Sequence, residues 1–291
     1  MTAICLSGLG RTGKEIAKFL LEQDHLNVVA AICSPNSSKK GQDLGQVIGV
    51  SNTGVIMECA DDLEQVIFRT RPDVVVDFSN PKAVLKNAKI FSKLKVNMVI
   101  GTTGFTDTEL QKLYLLSKKY RNGIVYTPNI TLGVNVLMVL SHLAATILNN
   151  YDFQVTDVHH KYKKDAPSGT AIKIAAGIEE GLRTSNPAAK NIQVPINAVR
   201  AGGVIGKHEV SIFGEEDSII ISHESFSRKA FAVGALKAIE FIKDKVGYYE
   251  MKDVLNLREI LNAYLEKEIA LNNERQMDFM DYMQFEDTKA Q

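Results

Sequence analysis

The sequence predicts an α/β protein, a doubly wound parallel sheet joined to a second, α+β module with a mostly antiparallel sheet. Three observations carry this. Short Val/Ile-rich runs alternate with amphipathic helical patterns through the first third of the chain, which demands parallel strands buried on both faces. A glycine triplet, "GLGRTG", stands between the first such run and the first helix, as in Rossmann-type nucleotide domains. From Thr131 the alternation gives way to two long helices and then three β-like runs in series, a pattern that favours antiparallel pairing.

The elements follow in order. "AICLSG" is a strand, and "TGKEIAKFLLEQ" a helix with Ile16, Phe19 and Leu20 on one face. "LNVVAAIC" is the second strand and "DDLEQVIFRT" a helix. "PDVVVDFS" and "VNMVIGTTG" are the third and fourth strands, separated by the helix "PKAVLKNAKIFSKL". "TDTELQKLYLLSKKY" opens with Thr106 and has Glu109 three residues on, a capping box, and "GIVYTPN" is the fifth strand. A long apolar helix runs from 131 to about 150, and a second begins near Ser168 and ends near 183. "IQVPINAVRA", "GVIGKHEVSIFG" and "DSIIISHESF" read as strands, and "SRKAFAVGALKAIEFIKDK" as a helix. The tail carries Leu257, Leu261, Tyr264 and Leu265 at helical spacing before ending in "MDFMDYMQFEDTKAQ".

Composition narrows the function classes. Lys+Arg and Asp+Glu balance at 34 each, so no global field recruits nucleic acid or an anionic membrane, and an anionic ligand must be held locally. Three scattered cysteines make neither a disulfide framework nor a zinc site, which suits a reduced, cytoplasmic setting with no metal. The apolar run "LGVNVLMVLSHLAATIL" is interrupted by Asn135, Ser141 and His142 and is too short for a membrane span.

Gly8, Gly10 and Gly13 form a G-x-G-x-x-G in the strand–turn–helix context that lets a backbone approach a pyrophosphate. The second strand ends in "ICSPNSSKK", where an acid would grip the 2′-hydroxyl of NAD. Cys33 and Ser34 stand there instead, with Ser37, Ser38, Lys39, Lys40 and Arg11 near, a set better matched to a 2′-phosphate. The expected cofactor is therefore NADPH, with NADH as the alternative. "GTTG" (101–104) and "TPN" (127–129) close the fourth and fifth strands, where ligands of open α/β sheets lie.

The densest chemistry is "HHKYKKDAPSGTA" (159–171). Adjacent histidines on an extended segment face opposite ways. Pro167 and Ser168 start a helix whose uncovered amides, at Gly169, and hydroxyls, at Ser168 and Thr170, suit a carboxylate. Lys161, Tyr162 and Lys164 read as a solvated face.

With these segments, and with "DFSNP" (77–81), "VIGTTGF" (99–105), "PNITLGVNV" (128–136), "VRAGGVIGKHEV" (199–210), "SRKAFAVGA" (227–235) and "GYYEMKDVL" (247–255), the chain resembles the dihydrodipicolinate (4-hydroxy-tetrahydrodipicolinate) reductases of the diaminopimelate route to lysine. The resemblance covers about residues 3 to 255. It implies that His159 is a general acid/base and Lys163 the proton donor, and that His160, Ser168, Gly169 and Thr170 bind substrate. It places Ser7, Gly8, Gly10, Arg11, Thr12 and Gly13 at the cofactor phosphates, beside Ser34. Gly101, Thr102 and Thr103, with Thr127, Pro128, Asn129 and Ile130, then line the nicotinamide side. It further implies a homotetramer built through the second sheet, and a nucleotide domain made of residues 1–130 and 240–291 around a substrate domain of 131–239. Ser7, Thr12, Ile130–Thr131 and Asp157 depart from the usual Gly, Met, Phe-Ser and Glu. The segment 256–291 extends past the family's usual end, either as a docking helix and strand-like tail or as a frayed terminus. Two other readings use the same residues: a related cyclic imine or enamine reductase, and a non-catalytic NADPH-binding protein, for which a proton donor has no use.

Overall fold

The N-terminal apolar run becomes the central strand of a sheet. In the computed structural model, which describes residues 1–186, 192–257, 259–264, 266 and 267, β1 (Thr2–Ser7) is buried along most of its length. A parallel strand between two helical layers requires this. The chain then alternates through α1 (Arg11–Leu21), β2 (Leu26–Cys33), α2 (Leu44–Ile48), β3 (Met57–Cys59), α3 (Leu63–Thr70), β4 (Val74–Asp77), α4 (Pro81–Lys93), β5 (Asn97–Ile100), α5 (Asp107–Tyr120) and β6 (Gly123–Tyr126). The predicted capping box at the head of α5 is present: the Thr106 amide donates to Glu109 Oε2 at 2.8 Å, and the Glu109 amide to Thr106 Oγ1 at 3.3 Å.

A second layer follows: α6 (Leu132–Ile147), β7 (Asp152–His159), α7 (Gly169–Ser185), β8 (Ile196–Arg200), β9 (Lys207–Phe213) and β10 (Ser218–Glu224). The chain then returns through α8 (Lys229–Ile242) to β11 (Gly247–Tyr249), which pairs in parallel with β6. The first sheet has the order β11-β6-β5-β4-β1-β2-β3, with every pairing parallel. Strand order reverses between β1 and β4, so the crevice where such sheets hold ligands opens beyond Ser7 and Asp77. Asn97 pins the returning segment. Its amide donates to the carbonyls of Ile242 (2.7 Å) and Lys243 (3.0 Å), while its oxygen accepts from the Gly123 amide (2.6 Å).

Two of the seven strands, β3 and β11, are absent from the sequence reading. Each has three residues, too few for a period to show. The second sheet has the order β10-β9-β7-β8. Its β9 is antiparallel to both neighbours, but β8 runs parallel to β7 because the chain crosses over through α7 between them. The sheet is therefore mixed, though mostly antiparallel.

The second core forms between this sheet and helices α6 and α7, which bury Val134, Leu137 and Ala145 against Ala171, Ile174, Ile178 and Leu182. Each such Leu, Ile or Val contributes about 1.5–3 kcal/mol relative to exposure. The inner face of β7 reads Phe153, Val155, Asp157, His159, all buried. Two apolar side chains thus hand over to two ionisable ones at the end of one strand. Cys5, Cys33 and Cys59 are buried free thiols, and no helix among the described residues is long and apolar enough to cross a membrane.

By packing, the described residues up to 251 form one compact unit, and those from 252 on belong to another. Within the second, helical backbone starts near Asn256, whose carbonyl accepts from the Ile260 amide at 3.1 Å. The expected strand-like end of the tail, beyond residue 267, lies outside the described residues, as does 187–191.

Candidate active site

The glycine loop lies at the switch point. Gly8 has φ +85°, and a Cβ on it would sit 2.3 Å from the Phe78 carbonyl carbon and the Ser79 nitrogen; one on Gly13 would sit 2.1 Å from the Gly8 carbonyl oxygen. The loops after β1 and β4 therefore meet backbone to backbone, and α1 starts directly behind them with Gly10 as its N-cap. A cavity of about 470 Å³ opens beside them, bounded by Ser7, Gly8, Gly10, Ser34, Ser37 and Lys39 among others. This is a shape and donor set that a dinucleotide fits: free amides at a helix start, hydroxyls, and a lysine. Lys39 Nζ donates to the Leu9 carbonyl at 2.6 Å, which holds its charge against the loop. Arg11 and Thr12 occupy the first turn of α1 but do not line the cavity, and Arg11 is exposed.

Asp77, at the end of β4, is a residue the sequence reading passed over. It is buried, and its Oδ1 accepts from the Ser79 amide (2.8 Å), Ser79 Oγ (2.6 Å) and Thr102 Oγ1 (3.1 Å). Burial pushes its carboxyl above the ordinary range, against the hydrogen bonds from Ser79, Ser7 and Thr102. It ties the ends of β1, β4 and β5 together beneath the crevice. Gly101 packs on the Phe78 ring, Thr102 is buried, and Thr103 is exposed. Thr127 is buried, Pro128 and Asn129 are half-buried, and Ile130 is buried.

The second wall is the end of β7 and the head of α7. Thr170 Oγ1 donates to Asn129 Oδ1 at 2.6 Å, so the helix head lies beside the chain leaving β6. Gly169 is exposed with no neighbour near its missing side chain. Ser168 caps the helix, its Oγ accepting from the Ala171 amide at 3.2 Å. It does not point outward, however. Its amide donates to Asp157 Oδ2 and its hydroxyl to Asp157 Oδ1, both at 2.8 Å. Of the predicted cradle, Gly169 is exposed and Thr170 half-buried.

Asp157 is fully buried and central. His159 Nδ1 lies 2.9 Å from its Oδ1, at ion-pair range though off a hydrogen bond's angle. His208 Nε2 lies 3.3 Å from the same oxygen, and Arg200 Nη2 donates to Oδ2 at 2.9 Å. Strand register assembles this set: Asp157 is opposite His208 across β7–β9, and His159 opposite Arg200 across β7–β8. Lys163 Nζ pairs with Asp165 Oδ2 at 2.8 Å, and its charge is felt at His159. His160 is half-buried with Nδ1 unpartnered. Lys161, Tyr162 and Lys164 are exposed, Lys161 resting over the Tyr162 ring at 5.1 Å.

The electrostatics follow from these contacts. Burial works to raise the Asp157 carboxyl, but Ser168, Arg200 and His159 together hold it below the usual carboxylate range. Burial lowers His159, with Asp157 pulling it up and Lys163 and Arg200 pushing it down. His208 is pushed down to about 4, chiefly by burial, with Asp157 opposing and His159, His223 and Lys163 adding to the fall.

Asp157, His159 and His208 present ligand-type atoms within 4.8 Å of one another. Arg200 on the carboxylate and the charge of Lys163 felt at His159 both oppose a cation there. A stability consequence follows. An unfolded histidine takes up a proton below about pH 6.5 that folded His208 refuses until about pH 4. Its contribution, at most about 3 kcal/mol, is therefore complete above pH 6.5 and lost as pH falls towards 4. The urea midpoint is expected to fall across that window, and His208→Leu to reduce the slope, the remainder coming from His159 and His223, which burial also lowers. A variant with the wild-type slope would assign it to other groups.

Comparison with known proteins gives the family. The model for the dihydrodipicolinate reductase N-terminus matches residues 2–130, and that for its C-terminus residues 133–255. The chain is 38% identical over 273 residues to 4-hydroxy-tetrahydrodipicolinate reductase of Methanococcus aeolicus, covering 89% of this chain and all of that one. It is 39% identical to the protein of that name from Methanocaldococcus jannaschii, covering 89% and 99%. Among solved structures, the dipicolinate-bound dihydrodipicolinate reductase of Paenisporosarcina sp. TG-14 superposes with a TM-score of 0.71 at 27% identity, over 86% of this chain and 97% of that one. Matched in both halves, over nearly the whole length of its relatives and in architecture, the chain belongs to the dihydrodipicolinate reductase family.

Proposed function

We propose that the protein reduces 4-hydroxy-tetrahydrodipicolinate to tetrahydrodipicolinate, in the diaminopimelate route to lysine, with NADPH favoured over NADH. The observation that carries the reading is the Thr170–Asn129 hydrogen bond at 2.6 Å, which sets the head of α7 beside the chain leaving the last strand of the nucleotide half.

Ser7, Gly8, Gly10 and the amides at the start of α1 would hold the pyrophosphate, with Ser34, Ser37 and Lys39 at a 2′-phosphate. Residues 101–103 and 127–130 would line the nicotinamide, which when bound supplies a hydride to the electron-poor substrate ring. The amides of Gly169 and Thr170, at the positive end of α7, receive one substrate carboxylate, and His160 helps to hold the substrate. Ser168 shapes that cradle from beneath. Lys163 delivers a proton to the carbanion-like product, beside His159 as acid/base. A homotetramer through the second sheet accords with its outer strand β10, which shows Ile219 and Ile220 to solvent.

The test is reduction of the dihydrodipicolinate synthase product, followed by NADPH and NADH oxidation side by side. Turnover with a preference for NADPH is expected, and Lys39→Ala should cut that preference at least about tenfold while leaving NADH use unchanged. No oxidation of either cofactor would favour a related cyclic imine reductase instead.

A further inference from the structure

Resting on that reading, we infer that Asp157 is a positioning residue that couples carboxylate binding at the head of α7 to the acid–base work of His159. Asp157 is fully buried and cannot touch substrate, so whatever it does it does through its partners. Those partners are the two ends of the cleft's second wall. Ser168, which donates twice to Asp157, is the residue immediately before the free amides of Gly169 and Thr170. His159, 2.9 Å from the same carboxylate, sits two positions along β7 on the same face, as the strand's alternation requires.

One carboxylate therefore serves both the anion cradle and the imidazole. A substrate carboxylate landing on the helix head adds negative charge beside Asp157, and both charges favour the imidazolium form of His159. The site would thus gain its acid when the substrate is in place. The charged and titratable groups that face this carboxylate are Arg200 from β8, His208 from β9 with His223 of β10 behind it, and Lys163 and Asp165 from the loop before α7. Arg200 holds Asp157 ionised from the far side, and its Nη2 also donates to the Asp165 carbonyl at 2.6 Å, which fixes the loop that carries Lys163.

Asp157→Asn keeps the shape and removes the charge. In the full-length enzyme it is expected to raise KM for substrate about tenfold and to lower kcat about a hundredfold, with KM for NADPH unchanged. The alkaline limb of the kcat/KM profile that reports His159 should move to lower pH by about one unit, because the anion that favours its protonation is gone. Asp157→Glu, which restores a carboxylate, should recover part of both losses and return the limb.

A folded Asp157→Asn enzyme with the wild-type limb and the wild-type substrate KM would overturn the coupling. If that variant does not fold, His208→Leu tests the same point: it leaves the carboxylate but removes a competing partner, so the limb should move to higher pH, and an unmoved limb counts against the coupling. Failure of the functional reading looks different, since the wild type itself would then be inert. In that case the coupling is read from dipicolinate affinity against pH, which should depend on pH in the wild type and much less in Asp157→Asn; equal profiles would again overturn it.

Discussion

Lys163→Ala is expected to lower kcat by about a hundred- to ten-thousandfold, the usual range for removal of a positioned proton donor, while NADPH binds within about a factor of two of wild type. The asymmetry follows from where the residue sits. Lys163 lies on the loop between β7 and α7, paired with Asp165 at 2.8 Å and three-quarters buried, whereas the nucleotide cavity is bounded by the loops after β1, β2 and β4. His159→Ala should have a loss of the same order. It removes the imidazole nearest Asp157, at 2.9 Å, which also lies under the field of Lys163. Steady-state kinetics with a fluorescence titration of NADPH checks both. If both variants kept wild-type turnover, the assignment of proton chemistry to this loop would be wrong. If they bound NADPH and the wild type turned over no cyclic imine, the chain would be a cofactor-binding protein.

Much of this site was legible in the sequence because its halves are contiguous. The glycine loop, "GTTG", "TPN" and "HHKYKKDAPSGTA" each announce a backbone geometry that elementary rules recognise. The supporting residues were not legible. Arg200 and His208 come from separate strands and reach Asp157 only through the register of a mixed sheet, which no local pattern fixes. Asp157 itself lay in plain view, two residues before His159, and the alternation of β7 would have put both on one face. Arg11 and Lys39 differ in place. Arg11 is exposed in the first turn of α1, while Lys39, from beyond the end of β2, reaches the glycine loop itself. Ser168 likewise has the residue type of a ligand donor and the geometry of a cap turned inward.

The two glycines at the switch point should separate fold from ligand. Gly8→Ala is expected to damage both. Its φ of +85° costs an L residue about 1–2 kcal/mol, and its Cβ would strike the backbone of Phe78 and Ser79 at 2.3 Å, which no side-chain rotation relieves. The loops after β1 and β4 must part, with a loss of several degrees in Tm and at least about a hundredfold in NADPH affinity, equivalent to about 3 kcal/mol. Gly10→Ala differs. Its φ is −79°, and nothing lies within 4 Å of the added Cβ, so the apo protein should melt within about a degree of wild type. Yet Gly10 caps α1 and borders the cavity, where a pyrophosphate would need the backbone bare. Loss of NADPH binding with an unchanged melting curve is therefore the expected result for Gly10→Ala. Wild-type affinity in that variant would mean that the phosphates do not approach the start of α1, and the crevice between β1 and β4 would need another occupant.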